Sequence, residues 1–145
     1  MELPKLLVSV SGGEADEEVI RLTCTLAKKR KAKVYVVYVI EVQRSLPLDA
    51  EMEPDIERGE KVLAHAQTIA DTLDCEVETD LLQAREAGPA VVEEAVERGV
   101  GLIIMSMEYK KRFGEFDLGS AVPYVLRNAP CRVLVWREAI EQEGV

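Results

Sequence analysis

The chain has 145 residues, 48% of them hydrophobic and 31% charged, which suits one globular domain with a single sizeable core and excludes a disordered body. Twenty-seven acids against 18 bases give a net charge of -9, so the average surface repels phosphate backbones and nucleic acid is not an expected partner. The longest apolar runs, residues 34–40 and 102–107, fall far short of the roughly 20 residues that cross a bilayer, so no membrane span is expected.

In chain order, the start MELPKLLVSVSGG has neither a basic leader nor a small-residue cleavage pattern, so no signal peptide is expected and the cytoplasm is the expected compartment. Residues 5–11 (KLLVSVS) form an apolar run ending in Gly12-Gly13, a buried strand followed by a tight turn. Val19, Leu22, Thr23 and Leu26 then predict a helix over about 14–30, with Lys28, Lys29 and Arg30 suited to its C-terminal dipole. Residues 33–40 (KVYVVYVI) are β-branched and aromatic, as in a central strand covered on both faces. Beyond a loop containing Pro47 and Pro54, Ile56, Leu63, Ala66, Ala70 and Leu73 predict a second helix, with His65 at its surface or boundary.

Residues 75–81 alternate and predict a third strand; Gly88-Pro89 opens a short helix that Gly99 caps. GLIIMSM (101–107) is the fourth strand, followed by a polar loop and a helix over about 118–127. Pro130 blocks that helix, and residues 132–136 form the fifth strand. The domain is expected to occupy residues 1–138, with 139–145 a loose polar tail. Cys24, Cys75 and Cys131 are scattered and have only His65 as a nitrogen ligand nearby in kind; they support neither a disulfide framework nor a metal site. They read as small buried hydrophobes, with reactive-thiol catalysis as the alternative.

Strands alternating with crossover helices imply an α/β fold: a doubly wound, five-stranded parallel sheet of order 3-2-1-4-5 with helices on both faces. Ligands of such sheets bind at the carboxyl ends of the strands where the winding reverses, here between strands one and four. The loops to inspect are 11–16 and 105–120.

The segment DLGSAVPYVLRNAPCRVLVW (117–136) resembles the C-terminal signature of the universal stress protein family: Gly-Ser at a helix start, an apolar helix, Ala-Pro-Cys and a Val-rich last strand. KLLVSVSGG, the run LIIM before a loop and the chain length agree, so the resemblance covers nearly the whole sequence. It implies an adenine-nucleotide-hydrolase-like fold and a homodimer formed through the last strand, with Val133, Val135 and Trp136 at the interface. Nucleotide-binding members carry glycine, two residues, glycine, nine residues, glycine and Ser or Thr. The matching positions here are Ser106, Tyr109, Gly119 and Ser120, so two glycines are replaced. Glu108 adds negative charge, and Ser11 stands where the family commonly has a nucleotide-binding Asp.

The candidate cleft is therefore Ser11, Gly12, the end of the second strand at Val39, Ser106, Glu108, Tyr109, Gly119 and Ser120. Glycines approach a polyphosphate closely; a Tyr side chain obstructs that approach. Gly119-Ser120 keeps a helix start, whose N–H groups suit an anion, although Asp117 as N-cap would serve the same groups. Ser11-Gly12-Gly13-Glu14 also resembles the start of the SGGxDS loop of ATP pyrophosphatases, and departs from it at Ala15 and Asp16. The expected function is a non-enzymatic universal stress protein-like regulator. It would need no cofactor and, as a homodimer, act through contacts with a protein partner that the sequence does not name. The alternative is an ATP- or AMP-binding stress protein with slow or no hydrolysis, and a more remote one a pyrophosphatase-like enzyme.

Overall fold

The computed structural model describes residues 5–107, 111–112, 115–116 and 119–140. Glu108, Tyr109, Lys110, Asp117, Leu118 and most of the expected C-terminal tail lie outside the described residues.

Strand β1 spans Lys5–Ser9, and Leu6, Leu7 and Val8 are buried on its two faces, which is why the segment shows no polar alternation. Gly12, at φ +89°, turns the chain into helix α1 (Ala15–Arg30), whose Val19, Ile20, Thr23, Cys24 and Ala27 form the buried stripe. Strand β2 (Lys33–Glu41) leads through a loop to α2 (Glu53–Thr72), which starts with Pro54 in its first turn. Strand β3 (Val77–Ala84) precedes α3 (Ala87–Arg98), which ends at Gly99 in the left-handed conformation, φ +67°. Strand β4 (Leu102–Met107) is followed by the two-residue strands β5 (Lys111–Arg112) and β6 (Glu115–Phe116), then α4 (Ala121–Asn128) and β7 (Arg132–Arg137).

The main sheet is parallel throughout, in the order β3-β2-β1-β4-β7, the predicted five-stranded topology. On one face Leu6, Val8, Val34, Val36 and Ile104 pack with residues of α1 and α2. Leu7, Tyr35, Val37, Ile103 and Met105 point to the other face, against α3 and α4. The period of two along each strand thus builds two cores.

Several boundaries differ from the sequence reading; the first strand, for one, ends at Ser9 and not at residue 11. The third strand begins at Val77 and runs to Ala84, not 75–81, because β2 offers pairing partners as far as Glu41, opposite Ala84. Cys75 instead closes the end of α2 by donating its N–H to the Ala70 carbonyl, after Asp74 at φ +52°. The region expected as a plain polar loop contains the antiparallel β5–β6 ribbon, and the following helix is described from Ala121, three residues later than expected.

Candidate functional site

After β1 the chain passes to the face covered by α1, whereas beyond β4 it reaches α4 on the opposite face. The two strands are hydrogen-bonded neighbours, Ser9 opposite Met105, so this divergence opens a crevice at their carboxyl ends. The side chain of Asp16, in the first turn of α1, enters it. Asp16 Oδ2 accepts the Gly12 N–H at 2.7 Å, while Oδ1 accepts the Ser11 N–H at 3.3 Å and the Ser106 hydroxyl at 2.9 Å. The positive φ of Gly12 shapes the turn that presents two successive N–H groups to one carboxylate, an anion-binding nest. The N-terminal end of the α1 dipole favours the same charge. Asp16 is only 7% exposed, and among the described residues three donors of this chain hold its carboxylate in the crevice.

Ser11, Gly12 and Ser106 are therefore brought together, through Asp16. Val39 lies at the end of β2 opposite Leu82 and packs into the core beneath α3 and α4, on the other side of the sheet from α1 and α2. Gly119 adopts φ +68° and Ser120 is the N-cap of α4; both are exposed, and the Ser120 hydroxyl makes no capping hydrogen bond. Glu108 and Tyr109 fall outside the described residues.

Asp16 is the residue that sequence reading missed. It counted only as a departure from the pyrophosphatase-like loop; the available signal was an acid in the first turn of a helix directly after a Gly-Gly turn. Beside it, a cavity of about 370 Å³ opens between α1 and α2, floored by Ile20, Val62 and Ile69 and edged by Glu14, Glu17 and Lys61. His65 is exposed at the rim of that cavity, a surface position as expected.

The Cys24 and Cys131 thiols are not activated. Burial, together with the hydrogen bond the Cys24 S–H donates to the neighbouring Cys75, pushes the Cys24 thiol up to about 12, and burial also raises that of Cys131. Reactive cysteines show the opposite shift. At the amino ends of the strands, Arg98 stacks 4.3 Å over the Tyr35 ring, donates to Glu94 and to Asp80 at 3.3 Å, and pairs with Glu78 at 3.6 Å. This cluster ties α3 to β2 and β3, remote from the crevice. Strand β7 is a sheet edge, with β4 as its one neighbour in the sheet. Its Val133 and Val135 pack toward α3 and α4, whereas Trp136 packs toward α1 and donates its indole N–H to Glu18 at 3.0 Å.

A curated universal stress protein of Methanocaldococcus jannaschii is 28% identical over 137 residues, covering 90% of this chain and 80% of the relative. A solved universal stress protein from Archaeoglobus fulgidus superposes with a TM-score of 0.75 at 22% identity, over 93% of this chain and 98% of its own. The structure of the universal stress protein from Archaeoglobus fulgidus in complex with dAMP has a TM-score of 0.72 at 24% identity, covering 93% and 98% of the two chains. A universal stress protein in complex with cAMP gives 0.72 at 16% identity, covering 96% and 100%. With the universal stress protein family matching residues 3–137, and the same parallel α/β architecture in these structures, the chain belongs to that family.

Proposed function

We propose that this protein is a regulatory, non-catalytic family member whose crevice does not take ATP and which acts in the cytoplasm through protein contacts, as a homodimer. The observation that carries this reading is the Asp16 carboxylate, held by Ser11, Gly12 and Ser106 between the ends of β1 and β4. A phosphate entering there would meet a fixed negative charge, and the nearest donors are already used. Two like charges about 4 Å apart near a protein surface repel by roughly 4 kcal/mol, about a thousandfold in affinity. Glu14 and Glu17 extend the acidic character around the adjoining cavity, against Lys61. The replacement of two motif glycines by Ser106 and Tyr109 adds side chains where a phosphate would have to approach the backbone N–H groups closely.

The second reading is adenine nucleotide binding, favoured by the retained Gly119-Ser120 at the start of α4 and by the two structural relatives solved with dAMP and cAMP. One experiment separates them. Protein purified without added nucleotide is denatured and its supernatant analysed by mass spectrometry, and the native protein is titrated with Mg-ATP in a calorimeter. No released nucleotide and no heat are expected; stoichiometric ATP or AMP would overturn the proposal.

A further inference from the structure

We infer that the groove between the β2–α2 loop and the outer face of α3 docks a basic, amphipathic helical segment of a partner protein. The inference deepens the reading that the protein works through protein contacts. The groove, about 430 Å³, has an apolar floor of Leu48, Leu82, Pro89 and Ala90 at the carboxyl end of β3. Leu46 and Leu48 on the loop are 40% and 47% exposed, and Val96, one helical turn from Glu93 on α3, is 57% exposed.

An exposed leucine on a mobile loop is ordinary, but this loop is held in shape. Arg85 Nη1 donates to the carbonyls of Gln43 at 2.6 Å, Leu46 at 2.8 Å and Val42 at 3.4 Å. Gln83 Nε2 donates to those of Leu48 at 2.9 Å and Ala50 at 3.1 Å. Two side chains of β3 and its end thus organise a loop that contributes only Val42 to the buried core. Preorganisation of this kind removes the ordering cost of binding.

Charge selects the occupant. Glu86, Glu93 and Glu97 line the groove with no ion pair among the described residues, whereas Glu94 is paired with Arg98; Arg44 is the one opposing base other than the committed Arg85. Such a rim repels anionic membranes and nucleic acid and attracts Lys and Arg flanking an apolar stripe, the mode in which an amphipathic helix lies in a groove.

The test uses a synthetic 18-residue Leu/Lys peptide with leucines at helical i, i+3, i+4 spacing and a permuted peptide of the same composition without that stripe. Amide shifts of the labelled full chain should concentrate in residues 43–50 and 82–97 with the first peptide. Its affinity should fall roughly tenfold in Leu48→Ser and in Glu93→Lys/Glu97→Lys, the size of one lost anchor. The charge-matched pair Glu57→Lys/Glu60→Lys on α2 should leave it unchanged. Equal binding of both peptides, shifts scattered over the acidic surface, an unaltered Leu48→Ser or preferential binding to anionic vesicles would each overturn the inference. Leu48 is half exposed, so Leu48→Ser remains folded and informative if the double variant does not. Mg-ATP added to the same sample tests the crevice separately, so either proposal can fail alone.

Discussion

Asp16 serves three donors from two separate parts of the chain, and its replacement removes all three bonds at once. Charge-assisted bonds are worth more than neutral ones, but the Ser11 and Gly12 amides lie near solvent and recover part of the loss by hydration. Asp16→Ala is therefore expected to lower unfolding free energy by about 2–3 kcal/mol, measured by urea denaturation. A change below about 0.5 kcal/mol, the range of ordinary surface substitutions, would show that the carboxylate does not hold the two strand ends together. Ser11, Gly12 and Ser106 were legible as crevice residues because strand ends and the winding reversal can be read from pattern. Asp16 was not, because its partner Ser106 lies 90 residues away and no local period connects them.

At the scale of elements, helix positions followed from the 3.6-residue stripe and strand positions from continuous apolar runs, since both are local consequences of burial. What the pattern misassigned was the reason for certain residues. Gly88 reads as part of a Gly-Pro helix opener, yet it is buried where α3 meets α4, and an added Cβ would stand 2.9 Å from Tyr124 Cβ. That neighbouring atom is fixed to the α4 backbone and cannot swing away, so the two helices must separate. Gly88→Ala is expected to cost about 1–3 kcal/mol, visible as a lower Tm, with Gly119→Ala as the contrast. At Gly119 no atom of the described residues lies within 4 Å of an added Cβ, and the positive φ opposes the substitution. The third strand was placed two residues early for a related reason: its start depends on how α2 ends, at Asp74 and Cys75, and its end on the length of β2.

For the whole molecule, the sheet has two edges, β3 and β7, and β7 presents a row of backbone groups beside half-buried Val133, Leu134 and Val135. Edges of this kind are normally covered or paired. Within the proposed function, light scattering should report twice the 16.1 kDa chain mass, and Val135→Lys should shift it to one. A monomeric intact chain ends the dimer proposal regardless of how the variant folds. Trp136 is committed to its own domain through Glu18, so the β7 backbone and its valines, more than the indole, are the expected contact.

By itself the sequence determined the order of elements, the parallel sheet and its strand order, because burial on both faces and right-handed crossovers leave few alternatives once the apolar periods are known. It also placed the crevice at the ends of the first and fourth strands. Only the tertiary structure decided what fills that crevice, because the Asp16 carboxylate meets the Ser106 hydroxyl through a closure that depends on the register of β1 against β4. Side chains distant in sequence meet by sheet geometry, and that geometry, not any local motif, puts the Asp16 carboxylate between the ends of β1 and β4.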